Sequence, residues 1–168
     1  MHEIIDDFLP KAVHKKILDV FEGSHFPWYY TKNSTGKAHL DEVSHGQFAH
    51  IFFRSQHPQY MLSVHFKLVE PMLEIIKPNI LIRIKANSTA PIQSDNKVGD
   101  FHLDYSSPKG MVGIYYVNTN DGATVLENGE VIESVENRFV KFSSDIKHAV
   151  RRHTNVKNRI VINFNWLD

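Results

Sequence analysis

His102 and Asp104 stand two residues apart in the run FHLDY. In an extended segment, residues i and i+2 point to the same face, roughly 6.5–7 Å apart along the backbone. An imidazole and a carboxylate can then lean toward one point, as two ligands of a borderline divalent metal. A set of two histidines and one carboxylate with open positions is characteristic of non-haem iron(II), so a third ligand is needed. His148, 44 residues after Asp104 and at the edge of a predicted strand, is the best candidate. The triplet alone says little in a chain with 11 histidines, because a surface histidine beside an aspartate at a strand end looks the same.

Arg159 adds weight. It opens RIVINFNW, in which Ile160, Ile162, Phe164 and Trp166 form one face and Arg159, Val161, Asn163 and Asn165 the other. An inward arginine needs an anionic partner, since an unpaired buried charge is very costly. A guanidinium is suited to bidentate capture of a carboxylate. An exposed arginine at a strand start is the plainer reading, and the metal candidates argue against it.

Composition limits the rest. With 168 residues the chain has the size of one domain with one core. The 19 basic and 19 acidic side chains cancel, which argues against a protein that coats nucleic acid. Cysteine is absent, which excludes disulfides, thiolate nucleophiles, zinc–thiolate sites and iron–sulfur clusters. No run approaches the roughly 20 apolar residues of a membrane span. The opening MHEIIDDF lacks the basic start and apolar stretch of a signal peptide. The expectation is a soluble cytoplasmic protein with no membrane association.

The elements that must position these residues differ between the two halves. Val13, Ile17, Val20 and Phe21 recur at helical spacing in residues 10–21. Met61, Val64, Leu68, Met72 and Ile75 predict a second helix over 59–76, kinked or split at Pro71. Residues 24–58 mix aromatic, glycine and polar positions, and no strand is assigned there. From residue 79 the period becomes two: 80–87, 101–105, 111–118, 138–142, 146–150 and 159–166 read as strands. Residues 123–133 read as a hairpin, with Asn128-Gly129 as a type I′ turn. The sum is a helix-buttressed β-sandwich or barrel of jelly-roll type. The expected fold is mainly β with flanking helices (α+β), one domain over 1–168. Helical support is expected over about 1–78 and a jelly-roll core over about 79–168.

The ordered motifs HLD (102–104), IYYVN (114–118), DGATVLENG (121–129), VKFSSDIKHAV (140–150) and RIVINFNW (159–166) resemble the catalytic core of the prolyl 4-hydroxylase-like 2-oxoglutarate/Fe(II)-dependent dioxygenases. The opening EIIDDFLPKAVHKKIL resembles that family's first strand and helix. Each motif alone is common, and their order carries the resemblance. It implies a double-stranded β-helix in which His102, Asp104 and His148 hold Fe(II). Arg159 would pair with the distal carboxylate of the cosubstrate 2-oxoglutarate, Tyr115 would assist through its hydroxyl, and Thr124 would line the pocket. The implied reaction is hydroxylation by O2 with release of succinate and CO2, and an ascorbate requirement is compatible with it. The implied substrate is a prolyl or other protein side chain, or a small molecule.

The chain departs from the family pattern in places. The strand with Lys85 and Asn87, which usually adds a cosubstrate contact, has no clear tyrosine. The spacing from His148 to Arg159 is one residue longer than usual, Asp121-Gly122-Ala123 replaces a Gly-Gly, and Asn165 stands where a tryptophan is common. The basic residues Lys147, Arg151, Arg152 and Lys157 read as a solvated loop beside the barrel mouth, or else as a lure for an anionic substrate. His153 and the other histidines are set aside as ligands. His39, His45 and His50 fall where related folds cover their substrates. Two other functions fit the same residues less specifically: a metal-binding jelly roll without 2-oxoglutarate chemistry, and a non-catalytic binding or assembly module. Oligomeric state is open.

Overall fold

The computed structural model describes residues 2–31, 46–55, 60–92, 98–105 and 107–168. Strand β1 (His2–Ile5) leads into helix α1 (Lys11–Glu22), close to the span its periodicity predicts. Pro10 caps its start, and α1 buries His14, Ile17 and Phe21 on one face. Strands β2 (Tyr29–Thr31), β3 (Gln47–Arg54) and β4 (Met61–Leu62) follow. A 3-10 turn (Phe66–Leu68) then leads to helix α2 (Glu70–Ile76).

The helix expected over 59–76 is thus not formed as one element. Met61 and Leu62 pair with Arg54 and Phe53, and Val64 is 92% exposed. Pro71 lies in the first turn of α2, where a missing N–H breaks no hydrogen bond. It starts a helix instead of kinking one.

Seven further strands follow among the described residues: β5 (Ile80–Thr89), β6 (Gly110–Tyr116), β7 (Ala123–Leu126), β8 (Val131–Glu133), β9 (Arg138–Ser143), β10 (His148–Arg151) and β11 (Arg159–Leu167). They form two antiparallel sheets. The larger runs β1-β9-β6-β11-β5-β3-β2, with β4 on β3, and the smaller runs β10-β7-β8. The architecture is mainly β with flanking helices and a jelly-roll core. The larger sheet takes strands from both sides of residue 79, so the N-terminal part supplies edge strands as well as helices.

Two details differ from expectation. FHLDY is not a full strand: it makes a single bridge, His102 to His148, and bends at Asp104. In the β7–β8 hairpin only Gly129 has a positive φ, +88°, whereas a type I′ turn needs two such residues. Gly129 N–H bonds to Leu126 O and Leu126 N–H to Glu130 O, the pattern of a longer turn closed by a left-handed glycine.

The faces of the larger sheet divide the interior. On the outer face Ile84, Ala86, Ile160, Ile162, Phe164 and Trp166 pack with Ile17 and Phe21 of α1 and Met72 of α2. Between the sheets, Val112, Ile114, Tyr116, Val140, Phe142 and Val161 meet Leu126 and Ile132. This inner core fills only the β9–β6 side. Toward β11 and β5 the inner face becomes polar, and the candidate site lies there.

Candidate metal and anion site

The bridge between His102 and His148 is a reciprocal hydrogen-bonded pair, each N–H giving to the other's carbonyl at 3.0 Å. Residues directly opposite one another point to the same face, and the two imidazole centroids lie 4.7 Å apart. Asp104, two residues on, reaches the same point. One ligand atom from each of His102, Asp104 and His148 lies within 4.8 Å of the others. Small side-chain rotations would bring such atoms to the roughly 2.0–2.2 Å of metal coordination.

Tautomers and orphaned atoms favour a metal. His102 Nδ1 donates to Asp100 O at 3.1 Å, which leaves Nε2 with its lone pair free, 3.9 Å from Asp104 Oδ1. His148 is 3% exposed, and its buried Nδ1 makes no hydrogen bond of good geometry, with the Ile146 backbone beside the imidazole. Burial pushes the His148 imidazole below its ordinary pKa, against the opposing pull of Asp104, so it is neutral and able to ligate.

Asp104 is oriented from outside the cluster. Its Oδ2 accepts from Arg83 Nη2 and from Asn165 Nδ2, both at 3.1 Å, and Arg83 Nε also donates to Asn165 Oδ1 at 2.9 Å. Burial alone would raise this carboxyl, yet Arg83, His148, Asn165 and His102 hold it below the usual carboxylate range. The following turn is tied down by Tyr105, whose hydroxyl accepts from Met111 N–H and donates to Trp166 O. Neither Arg83 nor Asn165 is marked by local sequence as a partner of Asp104. The only signal is their alternation onto inner faces.

Arg159 lies deeper, 3% exposed and opposite Thr89 on β5. Its Nε donates to Ser134 Oγ at 2.9 Å, its Nη2 lies 3.5 Å from Thr124 Oγ1, and its guanidinium carbon stands 5.6 Å from the Tyr116 ring centre. No carboxylate pairs with it among the described residues. Burial lowers its pKa, with Tyr116 working the other way. A guanidinium desolvated in this way is a receptor for an anion. Gly122 makes room for it: a Cβ there would lie 3.0 Å from Arg159 Cδ and 2.8 Å from Asn120 Oδ1.

Arg159 and Thr124 are brought together, and Tyr115 is not with them. Tyr115 points to the outer core, where its hydroxyl donates to Asn137 Oδ1 at 2.9 Å and takes the Nδ1–H of His14 at 2.7 Å. The tyrosine facing Arg159 is Tyr116, whose hydroxyl donates to Thr124 Oγ1 at 2.8 Å. Thr124 Oγ1 receives from Tyr116 and Arg159, so its own proton is left to donate to a ligand. Ser134 is a further contact that sequence reasoning missed.

The late basic residues are mostly accounted for locally. Arg151 pairs with Glu133 at 2.6 Å, Arg152 donates to Ala90 O at 2.8 Å, and Lys147 and Lys157 are exposed. His153 is fully buried, and burial and then Arg159 lower its pKa. His50 is bonded to Pro27 O and Ser63 Oγ inside an aromatic cluster. His39, His45 and His57 lie outside the described residues. Among the described residues no helix is long and apolar enough to cross a membrane.

No protein-family model matches the chain, and no curated protein matches it in sequence. Solved structures do match in fold. An oxidoreductase of the 2OG-Fe(II) oxygenase family from Burkholderia pseudomallei is 12% identical, with a TM-score of 0.65 over 98% of this chain and 84% of that one. A Trichoplax adhaerens prolyl hydroxylase, in complex with a hypoxia inducible factor oxygen degradation domain peptide fragment, is 13% identical, with a TM-score of 0.65 over 99% and 83%. HygX from Streptomyces hygroscopicus, with nickel and 2-oxoglutarate bound, is 7% identical, with a TM-score of 0.59 over 99% and 82%. The chain therefore has the fold of the 2-oxoglutarate/iron(II) oxygenases in its prolyl 4-hydroxylase-like form.

Proposed function

We propose that the chain is an iron(II)- and 2-oxoglutarate-dependent dioxygenase that hydroxylates a protein side chain, prolyl among them, or a small molecule. One observation carries this reading: a His-Asp-His cluster and a buried guanidinium with no carboxylate partner among the described residues share the polar side of one barrel. A merely structural metal site has no use for that guanidinium. A structural arginine of this burial would be expected to have its own counter-ion.

When bound, iron(II) would supply the chemistry by which O2 is reduced: one oxygen atom would enter succinate as 2-oxoglutarate loses CO2, and the other would enter the hydroxylated substrate. The chain's part is to position and to exclude. His102 and His148 present their imidazoles, the latter kept neutral by burial. Arg83 and Asn165 occupy Asp104 Oδ2 and leave Oδ1 toward the ligand cluster. Arg159 takes the distal carboxylate, and the Thr124 hydroxyl, aligned by Tyr116, donates to the same group. The apolar floor of Val112, Ile114, Val140, Phe142 and Val161 keeps bulk water from that side.

Anaerobic addition of Fe(II) and 2-oxoglutarate tests the reading. The expected result is a weak visible metal-to-ligand charge-transfer band that is lost in His148→Ala. Absence of the band in the wild type, or its persistence undiminished in the variant, overturns it. Succinate release without any added substrate is the matching activity readout.

A further inference from the structure

The reaction just described leaves one charged side chain of the barrel without a role. On β5, Ile84 and Ala86 belong to the outer core, so Arg83, Lys85, Asn87 and Thr89 face inward. Arg83 is spent on Asp104, and Thr89 stands opposite Arg159. Lys85 falls between these two ends. Its cross-strand neighbours are Asn163 on β11 and Ile51 on β3, neither of which is charged. It makes no hydrogen bond or ion pair among the described residues.

The charges acting on Lys85 lie at the Asp104 end of the strand: Arg83, Asp104 and then Arg54, which is opposite Arg83 in the register of β3. Burial, with Arg83 and Arg54 adding to it, lowers the ammonium to about 8, so near neutral pH it is a protonated, partly desolvated cation. Asp104 cannot serve it as a counter-ion, because Arg83 and Asn165 already hold its outer oxygen. In the proposed reaction the other oxygen of Asp104 goes to the metal, and the distal carboxylate of 2-oxoglutarate goes to Arg159. With both oxygens of Asp104 and the distal carboxylate so engaged, Lys85 is left without an anion among the described residues. Asn163 Oδ1 and Asn87 Oδ1, both buried without partners, leave polar capacity beside it.

We propose that Lys85 is a specificity-determining residue that selects a primary substrate bearing an anionic group, carboxylate or phosphate, near the carbon to be oxidised. The inference rests on the dioxygenase reading and narrows its substrate class. Lys85 reaches the anion as a point charge on a flexible stem, so it sorts substrates by charge more than by shape.

The test is binding calorimetry on the protein saturated with Ni(II), a redox-inert stand-in, and 2-oxoglutarate. Two matched pairs serve as probes: N-acetyl-glutamate amide against N-acetyl-glutamine amide, and N-acetyl-phosphoserine amide against N-acetyl-serine amide. The two acids distinguish a carboxylate from a phosphate source. At least one acid is expected to bind about tenfold or more tightly than its neutral partner, a preference that salt weakens. Lys85→Met should remove that preference and Lys85→Arg should keep it, while the affinity for 2-oxoglutarate changes less than about twofold in either variant. Equal binding within both pairs, or no binding of any probe, overturns the proposal. So does a loss of 2-oxoglutarate affinity in Lys85→Met as large as the loss of acid preference, since Lys85 would then be a cosubstrate contact. If Ni(II) and 2-oxoglutarate themselves do not bind, the dioxygenase reading fails. The same titrations on the unloaded chain then decide: a preference for the acids that Lys85→Met removes upholds the anion site, and its absence overturns it.

Discussion

Arg83 and Asp104 are joined across the barrel, guanidinium Nη2 to carboxylate Oδ2, at 3.1 Å. The pair shares Asn165, which accepts from Arg83 and donates to Asp104. The bend at Asp104 has no continuous strand ladder to stiffen it, so this pair is what aims the carboxylate. Arg83→Met should therefore weaken Ni(II) or Fe(II) binding by about 10-fold or more, the usual cost of losing an outer-shell partner. Removal of a cation lessens its repulsion of the metal, but it also takes away the strongest charge that holds the buried Asp104 carboxyl below its usual range, so the aim and the support of the ligand are lost together. Competitive metal titration checks this, and an unchanged affinity contradicts it.

Arg159→Ala should raise the 2-oxoglutarate concentration needed for half-saturation by about 30-fold or more, as expected for loss of a buried charge partner. The Fe(II) requirement should move far less, because no metal candidate touches Arg159. Equal effects on both requirements would contradict its role.

The tyrosine pair gives two separable outcomes. Tyr116→Phe removes the donor that aligns Thr124 and should weaken 2-oxoglutarate binding about fivefold, the value of one hydrogen bond. Tyr115→Phe leaves His14 Nδ1 without its partner in the outer core and should lower the Tm by about 2–8 °C with 2-oxoglutarate binding unchanged. Parallel titration and calorimetry of the two variants check this, and a Tyr115 effect on cosubstrate affinity would reverse the assignment.

Stability should fall as the pH drops from about 7 to 5. Burial lowers the pKa values of His14, His50, His148 and His153 below the ordinary 6.5. The unfolded chain therefore takes up these protons first, and stability declines below pH 6.5 until the folded-state values are passed. The depressed carboxyls, Asp104 among them, act only at lower pH. Calorimetric Tm values between pH 8 and 5 test this: a flat profile contradicts it, and His14→Gln should reduce the slope.

Much of the site was legible because strand alternation is a local signal. The two faces of 159–166 and the inward set of Arg83, Lys85 and Asn87 are readable from period two alone. The tyrosine doublet was not, because adjacent strand residues always face opposite ways. Only the register, Tyr116 against Val161 and Tyr115 against Ile162, says which one enters the barrel. Strand β3 was hidden by its irregularity: the register shifts between Ile51 and Phe53, and Phe52 and Phe53 both pack toward the outer core, which breaks the alternation. Residues 59–76 imitated a helix because apolar positions from a short strand, a 3-10 turn and a short helix happened to fall at helical spacing. Ser134 carried no signal, since a serine just after a hairpin strand looks like surface.

Strand β11 has a different duty on each side. Ile160, Ile162, Phe164 and Trp166 are buried among the outer hydrophobic side chains, while Arg159, Asn163 and Asn165 belong to the polar wall, with the apolar Val161 among them. A positional scan along this strand should accordingly oscillate. Substitutions at the even-numbered positions should deplete folded protein, and those at Arg159, Asn163 and Asn165 should spare it while blunting ligand capture, so a yield assay and a binding assay would give interleaved, nearly complementary maps.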